Sequence, residues 1–174
     1  MEAVKGDLWD WHAKGWKIVV STNIGWTEER PNWASRDSFC DHHNNMGAGI
    51  AYEASKRWPW LPSWLGGHYR SRHRQGAPQL PIEHDQLRLI FVAVKPLLLE
   101  DPAYSWNQKA SLPLIAEQLQ ALARHRGNIA IGYIGCGNGQ LEQAQVEPAL
   151  LGLELKRTHA GLGRTVLVDR EVRL

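Results

Sequence analysis

Four short apolar runs rich in β-branched residues recur along the chain, and each ends on polar or glycine residues. They are Trp16 to Thr22, Leu87 to Val94, Ile129 to Ile134 and Arg164 to Asp169. Runs of this length are too short for a stable helix, and their unbroken apolar character marks strands covered on both faces. Helical patterns lie between them. Ile50, Ala51, Ala54 and Trp58 share one face with Glu53, Lys56 and Arg57 opposite, and Pro59 ends that helix. Ser111 caps a second helix with Pro113 in its first turn; Leu112, Ile115, Leu119 and Leu122 repeat at helical spacing, and Gly127 closes it. A third is read from Pro148 to Gly152, after a turn at 141–146. Met1 to Asp10 supplies an edge-strand candidate ending at Gly6-Asp7-Leu8, whereas Trp58 to Pro81, punctuated by prolines and paired glycines, reads as loops and short turns. Strand–helix alternation of this kind predicts an α/β fold with a mostly parallel sheet and helices on both faces.

In such folds ligands bind beyond the carboxyl ends of the strands. Here Asn23, Lys95 and the run Gly135 to Gln140 fall on that rim. The strand at Ile129 flows directly into Gly135-Cys136-Gly137-Asn138-Gly139-Gln140, glycines at alternating positions. Such a loop lets main-chain N–H groups approach an anion, though the same spacing also serves a plain tight turn. It is not the dinucleotide fingerprint, and it lacks the lysine of a P-loop. Met46-Gly47-Ala48-Gly49 is a second glycine loop with a helix immediately after it. Before it lies a long polar stretch, Gly25 to Asn45, of a length usually kept for functional loops.

At 174 residues the chain is expected to form one domain, residues 1–174, and a monomer. A formal charge of +2 is too small to imply a nucleic-acid partner by itself. The two cysteines, Cys40 and Cys136, form no disulfide framework and suit a reducing compartment, so a cytoplasmic location is expected. No run is long and apolar enough to span a membrane, and no signal-peptide core is seen at the N-terminus.

Taken together, three motifs resemble those of macro domains. Gly6-Asp7-Leu8 is similar to the family's opening motif. Met46-Gly47-Ala48-Gly49-Ile50-Ala51 is similar to its first glycine loop. Ile134-Gly135-Cys136-Gly137-Asn138-Gly139-Gln140-Leu141, with Val146 and Pro148 after it, is similar to its second phosphate loop. They occur in the family's order and span nearly the whole chain. The resemblance implies a three-layer α/β/α sandwich with a mostly parallel mixed sheet that binds ADP-ribose, and no cofactor. It implies that Asp7, with Leu8 beside it, meets the adenine amino group, and that Asn23, Asn45 and Met46 lie near the distal ribose. It also implies that the backbone of Gly47, Ala48, Gly49 and Ile50 and of Ile134 to Gln140 wraps the diphosphate. The flavour is that of the branch of glycohydrolases that remove ADP-ribose from carboxylate side chains and from DNA bases. In that branch a lysine at the end of a central strand forms an adduct with the anomeric carbon, and Lys95 falls at that position.

The sequence departs from the pattern at Gly139, where some glycohydrolases carry a catalytic aspartate, and at Ala48, where others carry a lysine. The stretches before Met46 and after Lys95 are also longer than the family leads one to expect. Lys95 reads either as a nucleophile with a depressed pKa or as a strand-end lysine reaching to solvent. Asp7 reads either as an adenine contact or as a turn cap. Cys40, Asp41, His42 and His43 are metal-ligand types, but adjacent residues converge poorly on one ion and no metal is expected. The stretch that holds them reads better as a flap over the ribose end of the cleft, with Asp37, Asp41 or a histidine holding a water. Trp58, Trp60 and Trp64 interleave with Lys56, Arg57, Arg70, Arg72 and Arg74, a pattern of either single-strand nucleic-acid binders or a small satellite core under solvated cations.

Two functions compete on these residues. One is hydrolysis of the bond joining ADP-ribose to a protein, a nucleic acid or a small molecule. The other is capture of ADP-ribose, or of another NAD-derived nucleotide, without turnover. A chain without an attached partner segment leans toward the enzyme, because a reader has something to recruit.

Overall fold

A computed structural model describes residues 3–28 and 42–170. The elements run β1 (Ala3–Gly6), α1 (Leu8–Ala13), β2 (Lys17–Asn23), α2 (Gly49–Arg57), α3 (Leu61–Arg74), β3 (Ile82–His84), β4 (Leu89–Lys95), α4 (Leu112–Leu122), β5 (Ile129–Ile131), α5 (Gln143–His159) and β6 (Thr165–Arg170). Two short 3-10 segments, Pro102–Asn107 and Gly137–Gly139, complete them. The strands form one six-stranded sheet in the order β1-β6-β5-β2-β4-β3. Every pairing is parallel except that of β3 with β4.

The sheet is covered on both faces because its central strands carry unbroken apolar runs, Ile18 to Val20, Leu89 to Val94 and Ile129 to Ile131. Along β4, Leu89, Phe91 and Ala93 join one core with Ile18 and Val20 of β2 and with residues of α1, α2 and α3. The intervening Ile90, Val92 and Val94 join the other with Val19, Ile129, Ile131 and residues of α4 and α5. Each such Ile, Leu or Phe taken from water contributes about 1.5–3 kcal/mol. This is the three-layer α/β/α arrangement expected from the alternation. Among the described residues no helix is long and apolar enough to cross a membrane.

Several local readings need correction. Residues 58–81 are not mainly loops, since Leu61 to Arg74 form a 14-residue helix. Pro62 sits in its first turn, where a missing N–H costs nothing. Gly66 is there because a neighbour is close: a Cβ at this position would lie 2.0 Å from the His42 carbonyl oxygen. Helix α5 begins at Gln143, not at Pro148, and runs through Gly152 to His159. A capping box between Glu142 and Gln145 starts it early. Helix α4 stops at Leu122, five residues short of Gly127. The strand from Ile129 ends at Ile131, so Gly132 to Ile134 already belong to the loop.

Candidate functional site

One cleft, with a cavity volume of about 570 Å³, opens at the carboxyl ends of β2 and β4. Its walls are built by both glycine loops. Asn23, Asn45, Gly47, Ala48, Gly49, Ile50 and Lys95 line one side, and Gly135, Cys136, Asn138, Gly139 and Gln140 the other. Asp7, Leu8, Met46, Ile134 and Gly137 do not line it. Leu8, Met46 and Ile134 are buried in the cores instead. Residues 29–41, with Asp37, Cys40 and Asp41, lie outside the described residues.

A register shift shapes one end of the cleft. Thr22 pairs with Ala93, yet the next residue of β2, Asn23, pairs with Lys95, leaving Val94 as the extra residue. The irregularity brings Asn23 abreast of Lys95, as bulges beside functional sites do. The Asn23 amide donates to the Asn45 carbonyl at 2.9 Å. Asn44, fully buried, donates from its own amide to the Asn23 carbonyl at 2.9 Å and to the Gly25 carbonyl at 2.8 Å. The loop before α2 is thereby tied to the end of β2. Asn44 is a supporting residue that sequence reading missed, because nothing distinguishes it locally from Asn45.

Lys95 donates from Nζ to the main-chain carbonyl of Trp106 at 2.6 Å. Burial pushes its pKa down from the usual lysine value. Trp106 and Asn107, on the 3-10 segment, line the cleft beside it, with Ser21, Thr22, Ala51 and Val94 deeper in. Tyr104 stacks on Trp106 with ring centroids 6.1 Å apart. None of these six was legible as a site residue. Trp106 and Asn107 reach the cleft only through the fold of 96–107, which carries no periodic pattern.

At the glycine-loop end, Ala48 is the N-cap of α2 and no side chain caps the helix. The first-turn N–H groups of Gly49, Ile50 and Ala51 therefore remain available at the cleft wall, where the helix dipole favours an anion. Across from them Gly135 has φ +79°, and a Cβ there would sit 2.8 Å from Ile115 Cδ1. Gly139 faces a different constraint. A Cβ at this position would lie 2.8 Å from the Ala110 Cβ, and the Ala110 N–H donates to the Gly139 carbonyl at 3.0 Å. The loop leaves no room here for an aspartate. Among the described residues Lys95 and Cys136 are the ionisable side chains that line the cleft, and burial pushes the Cys136 thiol up, so it stays neutral at pH 7.

Asp7 caps α1, its carboxylate accepting from the Trp9 N–H at 3.1 Å. Its Oδ1 also lies 3.6 Å from Arg170 Nη2, which pairs with Glu53 at 2.8 Å. His43 is buried with Nε2 2.8 Å from Ser63 Oγ, and His42 Nδ1 lies 3.4 Å from Glu28. Among the described residues no three His, Cys, Asp or Glu side chains gather as a metal site. The tryptophan–arginine stretch is largely engaged internally. Trp58 and Trp64 pack against the core, while Trp60 is exposed. Arg57 lies 3.9 Å over the Trp9 ring, Lys56 4.9 Å over Tyr52, Arg70 pairs with Glu28 at 3.0 Å, and Arg72 donates to the Leu80 carbonyl.

The three-layer sandwich that carries this cleft defines a fold class, and solved structures share the fold. No family model matches the chain, and no curated protein sequence matches it. Among solved structures, the macrodomain of Mycobacterium tuberculosis DarG has a TM-score of 0.59 and 19% identity, over 95% of each chain. The macrodomain of Thermus aquaticus DarG has a TM-score of 0.56 and 18% identity, over 96% of this chain and 94% of that one. A protein of unknown function from Bacteroides thetaiotaomicron has a TM-score of 0.58 and 15% identity, over 96% of both. The fold is that of the macrodomains.

Proposed function

We propose that the cleft binds ADP-ribose and that the protein hydrolyses the bond joining it to a protein, a nucleic acid or a small molecule. The observation that carries this reading is the uncapped N-terminus of α2 facing the 135–140 loop across one cleft with Lys95 at its end. Main-chain N–H groups from both sides would hold the diphosphate. Asn23 and Asn45 would hold the distal ribose, and the Asp7 carboxylate would accept from the adenine amino group. The DarG macrodomains share the fold and support the ligand class.

Lys95 supplies the chemistry. Its burial raises the fraction of free amine at neutral pH, which nucleophilic attack requires. The amine nitrogen forms a bond to the anomeric carbon as the bond from that carbon to the leaving group breaks; the leaving group takes the electron pair and the nitrogen gives up a proton. Water then replaces the amine, giving free ADP-ribose and restoring Lys95. With no carboxylate lining the cleft among the described residues, this route favours leaving groups that depart as stabilised anions. The same absence favours the second reading, a module that captures ADP-ribose, or another NAD-derived nucleotide, without turnover.

Lys95→Ala separates the two. The variant is expected to lose release of ADP-ribose from modified protein and DNA while calorimetry still finds ADP-ribose binding. In the parent protein the rate should rise with pH through the lowered lysine pKa, as the ammonium becomes amine. Full activity in the variant refutes the nucleophile, and failure of the parent protein to release anything leaves the binding module.

A further inference from the structure

The amino ends of the strands, on the rim opposite the cleft, carry an unusual concentration of cations. Lys14 follows α1, Arg88 precedes β4, Arg124 and Arg126 follow α4, Lys156 ends α5 and Arg164 precedes β6; all six are exposed. None of them makes an ion pair with a carboxylate among the described residues. The carboxylates on this rim, Glu83 and Asp85, are already engaged by Lys17, and Glu83 also by His125 at 3.3 Å.

Main-chain contacts make the rim continuous. The Lys17 N–H donates to the Asn128 carbonyl at 3.2 Å, the Ile18 N–H to the Arg88 carbonyl at 3.1 Å, and the Ile129 N–H to the Arg164 carbonyl at 3.0 Å. Next to them a depression of about 420 Å³ is lined by Arg124, Arg126, Lys156 and Gln120. Two half-buried indoles, Trp11 and Trp16, lie edge to face at 4.8 Å between Lys14 and Arg164, with the Arg164 guanidinium 5.6 Å over Trp16 and the Lys14 ammonium 4.8 Å over Trp11.

We propose that this rim is a docking surface for a nucleic-acid strand, separate from the nucleotide cleft. From Arg88 to Arg164 the rim crosses the strand order β4-β2-β5-β6, about 14 Å at the usual strand spacing, or the rise of about four nucleotides. Arg88 and Arg164 mark that span, with Lys14 beside it on the α1 layer and Arg124, Arg126 and Lys156 on the α4–α5 layer; six cations without carboxylate partners among the described residues suit a phosphate backbone. The indoles pack against the core and carry Lys14 and Arg164 over their rings, so they brace two of these cations in place. An anionic membrane is the other polyanion to consider, and the rim lacks what it needs. The exposed large apolar side chains of the described residues lie elsewhere, apart from Leu155 on the flank of α5, so no apolar wedge accompanies the charge.

The test is fluorescence anisotropy with labelled 20-nucleotide DNA and RNA oligonucleotides, using the full chain across a salt series. Binding is expected at low salt, weakening steeply as salt rises, with a log–log slope of about −3 to −4 if four to six phosphates of a single strand are neutralised. Arg124→Glu combined with Arg126→Glu and Lys156→Glu should weaken binding more than tenfold and flatten the slope, and Lys95→Ala should leave it unchanged. The triple glutamine variant repeats the comparison should the reversal fail to fold. No binding at low salt overturns the proposal, as does binding that ignores these substitutions. Equal affinity for phosphatidylserine vesicles, lost in the same variant, also overturns it in favour of a membrane.

Discussion

Asp7 accepts from the Trp9 N–H while its Oδ1 lies near Arg170, so one carboxylate starts a helix and faces a cation at the same time. A helix cap needs only a side-chain oxygen, whereas the proposed adenine contact needs a second acceptor aimed outward. Asp7→Ser should therefore keep thermal stability within about 0.5 kcal/mol, because serine caps comparably. ADP-ribose affinity should fall by about 1–3 kcal/mol, the cost of leaving a polar group without its partner. Paired melting and calorimetry experiments check both halves; an unchanged affinity removes Asp7 from the ligand. The sequence displayed the residues on the rim well where glycine or a strand end marked them, as at Gly47, Gly135 and Lys95. It was silent on Asn44 and Trp106, whose roles depend on a register shift and on a turn that no local pattern encodes.

The helical glycines show why α3 was read as loops and α5 as ending at Gly152. Gly66 and Gly152 look alike in sequence, yet one is squeezed and the other is free. A Cβ on Gly66 would meet the His42 carbonyl at 2.0 Å and the Asn44 N at 2.6 Å, whereas one on Gly152 meets nothing within 4 Å. Alanine at the two positions should act in opposite directions. Gly152→Ala should stabilise by about 0.5–1 kcal/mol, as in any exposed helix interior. Gly66→Ala should destabilise by about 1–3 kcal/mol, as overpacking does, and weaken ADP-ribose binding, because the displaced segment carries Asn44 and Asn45. Urea denaturation measures the first pair of effects and calorimetry the last. The β-branched strands were readable because burial there is continuous, and the α4 stripe because burial there is periodic. Breakers are not readable when their reason is a tertiary contact.

At the scale of the molecule, the partly buried His125 in the turn after α4 couples stability to pH. Burial first, then the charges of Lys17 and Arg157, push His125 down to about 4, against the opposing pull of Asp85. Glu83 also faces the ring at 3.3 Å, and Arg157 is held against the His125 and Gly127 carbonyls. Above pH 6.5 the ring is neutral whether folded or not, so it costs nothing. As pH falls from about 6.5 to about 4 the unfolded chain takes up a proton that the folded one refuses, and stability drops across that window. Denaturation midpoints at pH 7.5 and pH 5 should show the drop, and His125→Asn should reduce it.

The oxygen that receives the Lys95 ammonium belongs to the peptide of Trp106, not to its indole. Exchanging the side chain at position 106 would therefore reshape the vestibule in front of the amine without untying the amine itself. The shape of the vestibule and the tether on the amine can thus vary independently, so exchanging one ring would alter what the cleft admits while leaving the Lys95 nitrogen where it is.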